Sequence, residues 1–187
     1  MGQTSLDQAL WAFGRGSGII ALAMLSLAVI VGIIARSGRT LLLPRVGLAE
    51  LHRGVALIAT ALVCLHVLSL LADPDSQLRL LDALVPFAGH YRPLWVGLGT
   101  VAVDLLAAII VSALLRHRLG PRAFRVVHWA TYVLWPAALI HALGAGTDVT
   151  HPWMLAFTAA CVLGVIVTAI WRISNDFAEY GRVRSIR

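Results

Sequence analysis

LHRGVALIATALVCLH, at residues 51–66, is the stretch that decides the fold, because it carries a histidine near each end of a long apolar run. A helix needs about 20 mostly apolar residues to cross the hydrocarbon of a bilayer, and this run extends over residues 50–72. Four other runs meet the same condition: 17–35, 93–115, 124–143 and 152–171. The sequence therefore predicts an all-α fold, a polytopic membrane helical bundle with five transmembrane helices.

The composition agrees with a membrane protein. Of 187 residues, 59% are hydrophobic and 13% are charged, which excludes an ordinary soluble domain. The first apolar run lacks a basic segment before it and is followed by Arg36 and Arg39, so we interpret it as a span and not as a cleaved signal peptide. We expect an outer N-terminal lead at 1–16, one transmembrane domain at 17–172 and a basic cytoplasmic tail at 173–187.

The basic residues are distributed unevenly along the chain. All fifteen are arginines, and twelve of them fall on alternate connections: Arg36, Arg39, Arg45 and Arg53, then Arg116, Arg118, Arg122 and Arg125, then Arg172, Arg182, Arg184 and Arg187. Arginine and lysine accumulate in cytoplasmic loops, so the N-terminus is predicted outside and the C-terminus in the cytoplasm. The net charge of +6 is thus a signal of topology, with contact to lipid headgroups, and does not indicate nucleic-acid binding.

Four histidines lie in two of the predicted spans. His52 and His66 share the second span, and His128 and His141 share the fourth. Both spans run from the cytoplasm outward in this topology, so His52 is level with His128 near the inner surface and His66 with His141 near the outer one. Fourteen residues return within roughly 40° of the same helix face, whereas thirteen leave an offset of about 140° that a kink at Pro136 would have to absorb.

Histidine inside a membrane span is costly and usually functional. A six-coordinate haem takes one imidazole nitrogen on each face, so the two level pairs predict two haems b, about 20 Å apart along the membrane normal. The alternative is that neighbouring carbonyls or hydroxyls satisfy all four rings. A zinc site is disfavoured because the two level pairs lie too far apart for one ion to bind all four histidines. Trp135, halfway between His128 and His141, either occupies the gap between the haems or is ordinary packing.

The pattern resembles a known family. It resembles the ferric reductase-like transmembrane domain, shared by ferric reductases, the membrane core of NADPH oxidases and the haem subunit of the bacterial periplasmic methionine sulfoxide reductase system. The resemblance covers roughly residues 14–172 and rests on Leu51-His52-Arg53 with His66, Arg116-His117-Arg118-Leu119-Gly120 leading into His128, and His141. It implies that each haem is held by one histidine from each of the two helices. The chain departs from the eukaryotic oxidases in lacking their flavin and nicotinamide module.

Several polar residues are candidate neighbours of these haems. Haem propionates pair with arginine, so Arg53 and Arg125 are candidates at the inner haem and Arg15 and Arg92 at the outer one. Each is alternatively an interface anchor. Asp104, in the middle of the third span, either orients a histidine or moves a proton, or else bonds to a hydroxyl such as Thr60, Thr131 or Ser112. An outer-loop group is a further candidate site for an acceptor or a metal ion: His90, Tyr91, Asp148 and His151.

These expectations converge on electron transfer across the cytoplasmic membrane of a bacterium. The chain would be an oxidoreductase-type membrane subunit that takes electrons from a cytoplasmic or membrane donor, a flavoprotein or quinol. It would pass them to an extracytoplasmic redox partner protein. The alternatives are direct reduction of ferric iron or dioxygen, a histidine-based metal or proton transporter, and a purely structural subunit.

Overall fold

The computed structural model describes residues 5–37, 44–175 and 177, and this part of the chain is helical without a β-strand. A single 3-10 turn, η1, spans Pro74–Ser76. The α-helices in chain order are α1 Ser5–Arg36, α2 Arg45–Ala72, α3 Leu80–Leu84, α4 Pro93–Leu114, α5 Arg116–His128, α6 Thr131–Ala145 and α7 Pro152–Ile173. The predicted all-α fold is confirmed.

Four of these helices, α1, α2, α4 and α7, are long and apolar enough to cross a membrane. The pair α5 and α6 adds a fifth span if the two are counted together. The protein is therefore a multi-pass membrane protein. Helix α1 begins at Ser5, well before the predicted start of the first span, and its added turns expose Leu6 and Phe13.

The predicted fourth span is divided into two helices, α5 and α6, which are bent by 44° at a break around residues 129–130. Two features weaken the helix there. The Thr131 hydroxyl donates a hydrogen bond to the His128 carbonyl (2.7 Å), an arrangement that bends helices. Pro136, inside α6, has no N–H to donate to the carbonyl four residues before it. The bend thus lies N-terminal to the proline at which the sequence placed it.

A second interruption lies inside α5. Gly120 has φ 77° and ψ 164°, a conformation that side-chain-bearing residues rarely adopt, and Pro121 follows it. The helix is therefore interrupted at Gly120-Pro121. It separates a first turn from the segment that carries His128.

The chain divides into two compact units. Unit 1 comprises Met1–Leu22 and Thr60–Val149, and unit 2 comprises Ala23–Ala59 and Thr150–Arg187, as far as their residues are described. In unit 1, α4 packs along α6, α5 and α3. Three of the four span histidines belong to unit 1, and His52 belongs to unit 2.

The connection between α2 and α4 in unit 1 folds onto the start of α4. Asp82, only 3% exposed, binds the Arg79 backbone N–H (3.0 Å) and guanidinium (3.2 Å). The Thr100 hydroxyl donates to the Asp82 carbonyl (2.7 Å). The Phe87 ring packs where Gly97 leaves room for it. The apolar side chains of α3 are exposed: Leu80, Leu81 and Leu84.

Candidate functional site

Two of the predicted histidines lie next to each other inside unit 1, with their rings nearly perpendicular. His66, from α2, and His141, from α6, have ring centres 6.2 Å apart and ring planes at 78°. Both side chains are partly buried among the helices of the unit. The pair that the sequence placed level near the outer surface is therefore brought together.

A backbone carbonyl holds each of these rings. His66 Nδ1 lies 2.6 Å from the Gly14 carbonyl oxygen on α1. His141 Nδ1 lies 2.8 Å from the Trp95 carbonyl oxygen on α4. A carbonyl oxygen can only accept, so Nδ1 must carry the proton in both rings. The lone pair of each neutral imidazole is then on Nε2, the nitrogen that a metal would bind.

The spacing of the two rings can be tested against a haem iron. A metal–imidazole nitrogen bond is about 2 Å long, and Nε2 lies about 1.1 Å from its ring centre, so imidazoles on opposite sides of one metal have centres roughly 6 Å apart. The observed 6.2 Å agrees with this value. The tautomer and the spacing of His66 and His141 are therefore both compatible with two imidazoles that would hold one haem iron.

His52 is held in the same manner in unit 2. Its Nδ1 lies 3.0 Å from the Ala28 carbonyl oxygen on α1, so Nε2 again carries the lone pair. His128 ends α5 in unit 1, and its ring centre lies 5.4 Å from that of Phe124. The two histidines predicted for the inner haem thus belong to different units.

The predicted propionate partners differ in their surroundings. Arg15 forms an ion pair with Asp148, and its guanidinium lies 4.0 Å from the centre of the Trp11 ring. Arg92 donates to the Gly144 carbonyl (3.1 Å) from a left-handed backbone conformation with φ 41°. Arg53 and Arg125, the inner candidates, are exposed.

The remaining candidates are dispersed. Trp135 is buried in α6, with 8% of its surface exposed. Asp104 is exposed on α4. Two of the hydroxyls considered for it donate instead to carbonyls three residues before them, Thr131 to His128 and Ser112 to Ile109.

The outer-loop group is divided among different partners. His90 Nδ1 lies 3.3 Å from the Arg79 guanidinium, and Asp148 pairs with Arg15. The Arg92 guanidinium lies 5.8 Å from the centre of the Tyr91 ring. His151 caps α7 in unit 2.

Sequence reasoning missed the groups that hold the histidine rings. The carbonyls of Gly14, Ala28 and Trp95 have no side-chain signature, since every residue has the same carbonyl. A usable signal was nevertheless present on α1, where Gly18 and Gly32 repeat the fourteen-residue spacing of His52 and His66.

The chain matches the family described as ferric reductase like transmembrane component over residues 17–139, more than half of its length. The matched range includes His52, His66 and His128 and ends two residues before His141. No curated protein and no solved structure matches the chain significantly. The extent of the family match and the paired histidines lead to one assignment: the chain belongs to the ferric reductase-like transmembrane component family.

Proposed function

We propose that this protein carries electrons across the membrane through two b-type haems, as the membrane subunit of a redox system. Domains of its family commonly bind haem and usually work with redox partners. The observation that carries the proposal is the His66–His141 pair, whose ring separation of 6.2 Å and carbonyl-held Nδ1 atoms would let both residues hold one haem iron.

The outer haem would be held by His66 and His141, and the inner haem by His52 and His128. For the inner haem, support comes from the sequence pairing and from His52, which has the same Nδ1-to-carbonyl contact as the outer ligands. Two such haems would form a path along the membrane normal. Trp135, which lies on α6 and between His128 and His141 in the sequence, is the proposed aromatic group in the gap between the two haems.

The haem, when bound, supplies a one-electron redox change. The residues of this chain would hold, orient and insulate the haem. Backbone carbonyls keep Nδ1–H in place, so Nε2 stays available to iron in a neutral, fixed ring. The apolar helices exclude water and insulate the site.

Arginines would stabilise the propionates at the two surfaces, Arg53 and Arg125 at the inner haem and Arg15 and Arg92 at the outer one. An arginine has five N–H donors. The contacts of Arg15 with Asp148 and of Arg92 with Gly144 therefore leave donors for a propionate.

The donor and acceptor follow from the proposed orientation in a bacterial cytoplasmic membrane. The arginine-rich connections are proposed to lie on the cytoplasmic side. Electrons would enter from that side or from the membrane, from a flavoprotein or a quinol. An extracytoplasmic redox protein is the proposed acceptor. Direct reduction of ferric iron or dioxygen would be seen as activity of the isolated chain without a partner.

The absorption spectrum of the purified protein tests the proposal. We expect a low-spin b-type spectrum on dithionite reduction and a pyridine haemochrome ratio of about two haems per chain. A colourless protein that also binds no added haemin would overturn the proposal and favour a histidine-based transporter. A ratio of about one haem per chain would contradict the proposal of a second haem.

A further inference from the structure

Three histidines of this chain rest on a neighbouring helix in the same way. The ring nitrogen Nδ1 meets a backbone carbonyl, and the residue four positions later on that helix is a glycine against the ring. The three carbonyl and glycine pairs are Gly14 with Gly18 for His66, Ala28 with Gly32 for His52, and Trp95 with Gly99 for His141. We call each pair, a carbonyl and the glycine four residues later, a carbonyl–glycine seat.

Helix geometry explains the spacing of four. Residues i and i+4 lie one above the other on the same face, and the Cα–Cβ bond of residue i+4 tilts toward residue i. A Cβ at residue i+4 would therefore occupy the space through which an imidazole reaches the carbonyl of residue i. A glycine at this position leaves that space open.

The distances bear this out. A methyl group added at Gly99 would lie 2.6 Å from His141 Nδ1, and one at Gly18 would lie 2.8 Å from His66 Nδ1. At Gly32 the nearest atom is His52 Cε1 at 3.1 Å. The first two separations are shorter than Cβ atoms tolerate in proteins, so the ring would have to shift away from its carbonyl. The third requires only a small shift.

We propose that Gly18, Gly32 and Gly99 are positioning residues, which seat the haem-ligand imidazoles on backbone carbonyls and thereby fix both the Nδ1–H tautomer and the ring orientation. Ligand histidines are usually oriented by a hydrogen bond to the second ring nitrogen. Here the seats supply it from the backbone of α1 and α4, without a charged side chain in the apolar interior. The role in haem binding rests on the proposed function.

The seats are distinct from glycines that merely let helices approach. Gly164 has the Ile30 side chain 3.0 Å from an added methyl group and no histidine near it, so it reports on helix packing alone. Gly16 lies on α1 with two of the seats, and Gly54 lies on α2, the helix that carries His52 and His66. Both glycines have open space around an added methyl group. These three positions are matched controls for the cost of replacing a helix glycine with alanine.

The test compares Gly99→Ala and Gly18→Ala with Gly16→Ala, Gly54→Ala and Gly164→Ala. Loss of such an outer contact typically weakens metal binding about 10-fold to 100-fold. We expect Gly99→Ala and Gly18→Ala to lose the outer haem or convert it to a high-spin form, with the inner haem retained. The controls should keep the spectrum of the unsubstituted protein.

A second measurement does not depend on haem. Nitrogen-15 NMR of the histidine rings, in protein freed of haem, reports which ring nitrogen carries the proton. In the unsubstituted protein, His66 and His141 should be protonated at Nδ1, and Gly99→Ala should shift His141 toward a mixture of tautomers. Gly32→Ala, with its milder contact, should stay folded and affect only the inner haem and His52.

The outcomes separate the two proposals. A haem-free wild-type protein would overturn the proposed function, and the tautomer measurement would still decide the seats. Unchanged spin state and unchanged tautomers in both Gly18→Ala and Gly99→Ala would overturn the seats. Equal damage from Gly164→Ala would also overturn them, because it would assign the effect to helix packing.

Discussion

At the scale of single residues, the histidines of unit 1 use their two ring nitrogens differently. The Nδ1 atoms of His66 and His141 are held by the carbonyls of Gly14 and Trp95. An imidazole inside a membrane protein needs a partner for its N–H, and these carbonyls supply it. Nε2 of each ring can then bind a metal. The short ring separation supports the proposal that both rings hold one iron.

This pairing predicts which substitutions share a phenotype. His66→Ala and His141→Ala should each remove the outer haem, so the haemochrome ratio falls from about two to about one per chain. The double variant should lose no more haem than either single variant, since both histidines are proposed to bind the same iron. His52→Ala and His128→Ala should share loss of the inner haem.

The control for these substitutions is His117→Ala, an exposed histidine in the arginine-rich part of α5, which should keep both haems. If His52→Ala removed the same haem as His141→Ala, the level pairing of the two helices would be wrong.

Asp82 gives a prediction about pH. Hydrogen bonds from the Arg79 side chain and backbone N–H lower the pKa of the Asp82 carboxyl below its usual value. A lowered pKa means that the carboxylate stabilises the folded state above its pKa in the unfolded chain, about 3.9. This contribution is lost as the pH falls through the lower, folded-state pKa. Asp82→Asn should therefore lower the unfolding temperature in detergent at pH 7, and the difference should shrink below about pH 4.

Arg79→Gln is the matched test of the cause. It should reproduce most of the decrease in unfolding temperature at neutral pH. The decrease in the double variant should be smaller than the sum of the two single decreases, because the two residues form one contact. A difference between Asp82→Asn and wild type that stayed constant from pH 7 to pH 3 would contradict this explanation.

At the scale of elements, the break between α5 and α6 changes how two of the histidines are presented. On one ideal helix, His128 and His141 would be rotated by about 140° relative to each other. The 44° bend means that the two histidines lie on separate helices with independent orientations. The poor spacing noted in the sequence is therefore no obstacle to both histidines acting as ligands.

Pro136→Ala tests the contribution of the proline to this bend. The new N–H can bond to the carbonyl four residues before it, and proline inside a helix costs about 3 kcal/mol. We expect the variant without haem to unfold at a higher temperature. It should also hold less low-spin haem, because a straighter helix would rotate His141 away from its proposed position at the haem. Melting of the apoprotein and the haem spectrum measure the two effects.

Pro121→Ala is the control for Pro136→Ala. Pro121 directly follows Gly120, where the helix restarts and a missing N–H costs little. It should change neither the melting temperature nor the spectrum appreciably. A loss of haem in Pro121→Ala equal to that in Pro136→Ala would contradict the proposed role of the α6 bend.

At the scale of the whole molecule, the arginine distribution predicts the orientation of the chain in the membrane. In protein with Cys64 and Cys161 replaced by alanine, His117→Cys should react with an impermeant thiol reagent only from the cytoplasmic side. Thr147→Cys should react only from the outside. Both positions are exposed in the structure, so access to the reagent is limited by the membrane alone. Reversed labelling would exchange the donor and acceptor sides together.

Much of this protein was predictable because it depends on one-dimensional properties of the chain. The length of an apolar run determines whether a helix can cross the bilayer, and α2, α4 and α7 lie where such runs were predicted. The identity of the span histidines is likewise read directly from the sequence. The family match over residues 17–139 confirms the suspected family.

Only the tertiary structure decided what holds the site. The partners of His52, His66 and His141 are backbone carbonyls, which are identical for every residue, so their choice depends on which helices lie side by side. The pairing of Arg15 with Asp148 also depends on how distant segments of unit 1 meet. The bend before α6 results from a local competition among Thr131, Pro136 and the helix backbone, whose outcome the sequence pattern alone does not express.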